Sequence, residues 1–188
     1  MKSSRLSISA DSLFRWLQLA GLSLLLSSCV SAPEGIEPVR GFELNRYLGQ
    51  WYEIARLPHP FEEGLSRITA DYSLRDDGGV RVLNKGYSEA EQAWDQVEGK
   101  AYFVDDPATG YLKVSFFGPF YGSYLIFELD KQNYQYSYIS GPSREYLWFL
   151  ARTPEVSQAQ KNDFIAKAQD AGFNTSQLIW VDQSPINP

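Results

Sequence analysis

Between residues 50 and 152 the chain runs as short, aromatic-rich segments cut by turn clusters, with no helical pattern between them. Asp76-Asp77-Gly78-Gly79 is the plainest of these turns, because glycine after aspartate supplies the positive φ that a tight hairpin needs. It joins segment 67–74, alternating through Ile68, Ala70, Tyr72 and Leu74, to segment 80–87. Turn clusters at 105–110, 118–122, 130–133 and 141–143 separate the segments 96–104, 111–117, 123–129, 134–140 and 145–152, and segment 50–57 precedes them all. Successive strands joined by short turns pair antiparallel with their neighbours. A sheet of eight keeps two exposed edges unless it closes, and closure leaves an interior about wide enough for one small ligand. The pattern predicts an all-β fold, an eight-stranded antiparallel up-and-down barrel.

After Arg152 the pattern changes. Thr153-Pro154-Glu155 reads as a helix start, with Thr at the cap, Pro at the first helical position and Glu in the first turn. Val156, Ala159, Phe164, Ala168 and Ala171 form an apolar stripe that Gly172 ends, and 177–181 reads as one last strand.

Composition narrows function more than fold. Five Trp, twelve Tyr and eleven Phe bring aromatics to 15%, which suits pleated surfaces and an apolar cavity. A net charge of −6 with no basic stripe argues against a nucleic-acid partner. One Cys allows no intrachain disulfide, and a lone His leaves almost nothing for a transition-metal site, so neither metal nor cofactor is expected. His59 sits between Pro58 and Pro60 in a loop, where a solvated side chain is expected. The acidic pairs Glu62-Glu63 and Asp105-Asp106 fall in turns, where carboxylates are usually solvated rather than catalytic. Gly78-Gly79 opens no helix, so no nucleotide loop forms. The chain reads as a binder, not an enzyme.

Residues 1–28 stand apart from the domain. Lys2, Arg5 and Arg15 precede a short apolar run over 17–26, the layout of a secretion signal and too short to span a bilayer as a mature helix. Leu26-Ser27-Ser28-Cys29 resembles a bacterial lipobox. That resemblance implies cleavage before Cys29, a diacylglycerol on its sulfur and acylation of the new amino group. Val30 after the Cys implies sorting to the outer membrane, with the protein facing the periplasm. Three acyl chains exceed the two signals that lasting attachment takes, since each buried CH₂ contributes about 0.8 kcal/mol. Residues 30–38, with two prolines, read as a flexible tether. The chain thus divides into a signal peptide (1–28), a lipidated N-terminus and tether (29–44) and one domain (45–188).

Gly49-Gln50-Trp51-Tyr52-Glu53-Ile54-Ala55-Arg56 resembles the Gly-x-Trp signature that opens the first strand of the lipocalins. It follows Asn45-Arg46-Tyr47-Leu48, the place of the family's short 3₁₀ turn at the barrel floor. Arg152, after Tyr146-Leu147-Trp148-Phe149-Leu150-Ala151, is similar to the family's arginine at the end of the last barrel strand. In the family that arginine lies over the tryptophan, where cation–π attraction and a fixed fork of donors serve the floor carbonyls. The family's Thr-Asp-Tyr motif is not kept; Ile139-Ser140-Gly141-Pro142 stands there. Longer blocks, among them Asn84-Lys85-Gly86-Tyr87 and Val114-Ser115-Phe116-Phe117-Gly118-Pro119-Phe120-Tyr121-Gly122, resemble the bacterial outer-membrane lipoprotein branch of the lipocalins.

The resemblance implies a binder of one hydrophobic molecule, a long-chain fatty acid or lysophospholipid, for storage, transport or scavenging in the envelope. An envelope scaffold with a filled barrel is the alternative, and a homodimer is left open. Strand alternation carries Arg152 inward to Leu150, Trp148 and Tyr146, and carries Trp51 to Glu53 and Ala55. Small Ala55 is expected to leave room beside Trp148. Phe116 rims the barrel, Tyr121 resembles the family's pocket tyrosine, and Tyr124 and Tyr138 are further lining candidates. Burying about 16 methylenes at roughly 0.8 kcal/mol each gives about 13 kcal/mol gross, against at least about 4 kcal/mol for association. Little polar help is then needed.

Overall fold

The computed structural model, which describes residues 30–186, places nine strands in one antiparallel sheet. These are β1 (Gly49–Arg56), β2 (Leu65–Leu74), β3 (Val80–Ser88), β4 (Ala93–Phe103), β5 (Tyr111–Ser115), β6 (Gly122–Leu129), β7 (Tyr136–Ser140), β8 (Leu147–Ala151) and β9 (Ile179–Trp180). Strands β1 to β8 pair in sequence, and β1 pairs with β8 as well as β2, so the eight strands close into a barrel. The signal-peptide and lipidation expectations for residues 1–29 lie outside the described residues.

One end of the barrel is a floor. There α1 (Leu44–Tyr47) leads into β1, and the Leu48 amide donates to the Leu44 carbonyl at 3.1 Å, so the expected 3₁₀ turn is a single α turn. Gly49 follows at φ +89°, a left-handed conformation that L side chains rarely adopt, which is why glycine opens the strand. The other end, the mouth, is rimmed by the loops 57–64, 89–92, 116–121 and 141–146.

Alternation along the strands builds two apolar layers. Trp51, Ala70, Tyr72, Val82, Ile126, Ile139 and Leu150 pack inside the barrel. Leu125, Tyr138, Leu147 and Phe149 pack outside it, beneath Phe164 and Ala168 of α2 (Gln158–Asp170). The helix begins later than Thr153-Pro154 suggested. Ser157 accepts from the Gln160 amide and the Gln160 side chain accepts from the Ser157 amide, a reciprocal cap that satisfies two orphan donors. Thr153 instead donates its hydroxyl to the Glu155 carbonyl, where the chain bends before the helix.

Two further features depart from the sequence reading. Residues 30–38, expected as a flexible tether, lie with 39–42 along the outer wall: Val39 donates to Ile126, Gly110 to Val39 and Phe42 to Ala108, each at 2.9 Å. Ile36 and Phe42 are buried, so the segment contributes apolar contact as well as hydrogen bonds. The second feature is a seam. β1 pairs with β2 over Gly49 to Tyr52 and with β9 over Ala55 and Arg56. β2 bends away at a bulge between Ser66 and Thr69, where Arg67 has φ +52°. The gap is filled by the C-terminal residues. Gln183 Nε2 donates to the Glu53 carbonyl at 2.8 Å and to the Ile68 carbonyl at 2.9 Å, tying both walls.

Candidate functional site

The floor is built around one indole. Trp51 is fully buried, and its Nε1 donates to the Tyr47 carbonyl at 2.7 Å. The Arg152 guanidinium lies 3.9 Å from the Trp51 ring centroid. Its nitrogens donate to the carbonyls of Gln50, Arg46, Leu48 and Tyr134 at 2.8, 2.8, 2.9 and 3.3 Å, so one planar fork serves four backbone acceptors at the closed end.

Above the floor three phenols form a chain. Tyr124 shares hydroxyl hydrogen bonds with Tyr47 at 2.7 Å and Tyr72 at 2.9 Å. Burial pushes Tyr47 up to about 12 and raises Tyr72 and Tyr124 well above the usual phenol range. They are neutral hydroxyls at any cellular pH.

The inside of the barrel is not filled to the top. Asn84, Val97, Val114, Phe116, Tyr124 and Trp148 share registers with inward residues yet are only half-buried. A side chain that points into a closed barrel and keeps accessible surface borders open space. The wall opposite Trp148 explains the room: Ala70, Gly86, Gly99, Ala101 and Gly122 present almost no side chain inward. At Gly99 a Cβ would stand 2.7 Å from Phe116 Cδ1, so glycine there lets Phe116 lie flat against the wall.

A charged cluster lies beneath the mouth. Arg56 Nη1 donates to Glu53 Oε1 at 2.9 Å and Nη2 to the Glu62 carbonyl at 2.7 Å. His59 Nε2 is 3.1 Å from Glu62 Oε2, and Trp148 Nε1 donates to the same oxygen at 3.3 Å. All four ionisable residues are buried. Burial, and then repulsion from Glu62, drives the Glu53 carboxyl well above the ordinary carboxylate range, against the pull of Arg56. Burial acts on Glu62 in the same direction, but His59, then Glu53 and Arg56, overcome it and hold Glu62 below that range. The two carboxyls are thus pushed apart, Glu53 toward its protonated form and Glu62 toward the carboxylate, beside one guanidinium in a low-dielectric place. Among the described residues no group of His, Cys, Asp or Glu is arranged to hold a metal ion.

Of the residues expected to line the cavity, Trp148, Tyr146, Leu150, Phe116 and Tyr124 face it. Tyr146 stacks on Trp148 and Phe61 at the rim, with centroids 6.2 Å apart in each case. Three do not face it. Ala55 pairs with outward Phe149 because a bulge between Glu53 and Ala55 reverses the alternation and turns Arg56 inward instead. Tyr138 packs against Phe164 outside the wall and donates to Asp163 at 2.9 Å. Tyr121 lies beside outward Tyr102, with Lys113 Nζ 5.3 Å from its ring, on the outer surface of the β4–β5 hairpin. His59 and Glu62, expected in solvent, are buried. The hint lay in Arg56 and Glu53, opposite charges three apart in a strand, which reach one face only across a bulge.

A lipocalin-like domain model matches residues 42–183, over the closed barrel and its floor. The chain is a lipocalin. It is 57% identical over 161 residues to the outer membrane lipoprotein Blc of Vibrio cholerae serotype O1, covering 86% of this chain and 94% of that one. Blc of Escherichia coli strain K12 is 50% identical over 166 residues, covering 87% and 93%. Apolipoprotein D of Bos taurus is 36% identical over 120 residues, covering 60% and 62%. Among solved structures, insecticyanin from the tobacco hornworm Manduca sexta superposes with a TM-score of 0.65 at 21% identity, covering 82% and 87%, a likeness of fold alone. The lipocalin barrel is thus shared widely.

Proposed function

We propose that this lipocalin is a lipid-anchored envelope protein that carries one single-chain amphiphile, a long-chain fatty acid or a lysophospholipid. The observation that carries the reading is the set of inward, half-buried side chains between the phenol chain and Trp148, as a hollow rather than a filled core would leave them. The acyl chain lies along the small-residue wall, and the head group stays near Tyr146, His59 and Glu62. Apolar burial supplies most of the affinity, so the cluster, its Arg56 already paired with Glu53, needs only to avoid repelling the head. Attachment through Cys29 to the periplasmic side of the outer membrane accords with the lipobox-like sequence and with relatives named outer membrane lipoproteins.

Titration with an environment-sensitive fatty-acid probe tests the reading. One saturable site is expected, with competition by lysophospholipid. Trp148→Arg, which sets a second cation beside Arg56 and fills the hollow, is expected to weaken probe binding at least about tenfold, or 1.4 kcal/mol. A wild-type protein that takes up no probe, or an affinity unmoved by Trp148→Arg, overturns it.

A further inference from the structure

We propose that the barrel is held mouth-down on the bilayer, with the β5–β6 loop inserted into lipid. The three most exposed large apolar side chains among the described residues are Phe120 (80%), Phe117 (73%) and Phe61 (69%). All three lie on mouth loops, two of them on the same turn. That turn, Phe116-Phe117-Gly118-Pro119-Phe120-Tyr121-Gly122, carries no acid or base apart from a phenol, so it enters an apolar phase without burying a charge. Across the rim, Glu63, Glu89, Glu91 and Glu145 are exposed and acidic. The entry is therefore one-sided, with the apolar loop in lipid and the acidic loops in water.

The start of the described chain fixes which side goes down. The Val30 carbonyl accepts from the Tyr111 hydroxyl at 2.9 Å, and the Ser31 carbonyl accepts from the Ser123 hydroxyl. Tyr111 and Ser123 stand on the outer face of β5 and β6, the two strands that the apolar loop joins. Ser123 follows Phe120 by three residues, about 11 Å of chain at most. This inference rests on the proposed lipidation of Cys29, the residue next to Val30. Acyl chains leaving from there enter the membrane beside the loop that carries Phe117 and Phe120, and the docked 30–42 segment gives no slack for the barrel to turn over. Exposed aromatics and anchor thus agree on one face. A mouth held at the leaflet lets an amphiphile pass between membrane and cavity without crossing bulk water.

The test uses the full lipoprotein reconstituted in phosphatidylethanolamine–phosphatidylcholine vesicles, spin-labelled in turn at Phe117→Cys, Phe120→Cys and Leu74→Cys. Leu74 is exposed at the floor end. Labels at 117 and 120 are expected to show an oxygen-to-nickel-chelate accessibility ratio severalfold above the label at 74. The double variant Phe117→Ser/Phe120→Ser, altering exposed side chains only, is expected to float with vesicles as before while a label at Tyr121→Cys, on the same turn, becomes aqueous. Equal ratios at 117, 120 and 74 with flotation intact overturn the orientation and leave the anchor standing. Loss of flotation with an unacylated N-terminal peptide by mass spectrometry overturns the anchor, and this inference with it.

Discussion

Trp51 and Arg152 show how two side chains close one end of a barrel. The indole fills the floor and the guanidinium above it satisfies carbonyls that would otherwise end unpaired. Trp51→Ala is expected to cost about 3–5 kcal/mol, as for other large core truncations, measured by urea denaturation. Glu53 makes the opposite contribution. Its folded pKa is raised, so its stabilising contribution is complete below about pH 4.3 and is lost as pH climbs through the folded value. Glu62, held low, runs the other way and loses its contribution as pH falls. Glu53→Gln keeps an acceptor for Arg56 while removing the costly ionisation. It is expected to match the wild type near pH 5 and to exceed it by roughly 1–2 kcal/mol at pH 9, read from thermal melts across pH. A wild-type advantage at pH 9 contradicts this. Of the mouth cluster, Glu53 and Trp148 were legible from alternation, but Arg56, His59 and Glu62 were not, because alternation alone sends Arg56 outward and loop composition puts the other two in solvent. The bulge that reverses it falls at Ile54 and Ala55, two apolar residues equally at home on either face.

Among elements, the strands were legible because glycine, proline and aspartate punctuate them, and the turn at Asp76–Gly79 is the clearest case: Asp77 caps the Gly79 amide at 3.0 Å and Gly78 takes φ +80°. The helix start was less so. Thr153-Pro154-Glu155 carries ordinary start residues, but the reciprocal Ser157–Gln160 cap competes and prevails. Ser157→Ala is expected to cost about 1 kcal/mol, seen as a lower melting temperature with ligand affinity unchanged. The docking of residues 30–42 was missed for a different reason. Pro33, Gly35 and Pro38 look like linker composition, while the two residues that hold the segment down, Ile36 and Phe42, stand six apart without a period.

For the whole molecule, barrel closure depends on strands far apart in the chain, and the upper part of the β1–β2 seam depends on its last residues. Gln183 bridges Glu53 and Ile68 there. Gln183→Ala is expected to destabilise the protein by about 1 kcal/mol and to speed probe release in stopped-flow dissociation, since the wall loosens beside the cavity. An unchanged release rate contradicts that. The seam also orders events in time. A chain emerging amino end first has all eight staves before it has the wedge that caulks them. Until residues 181–183 are in place the vessel stays open along one line, and it becomes tight only when they are delivered.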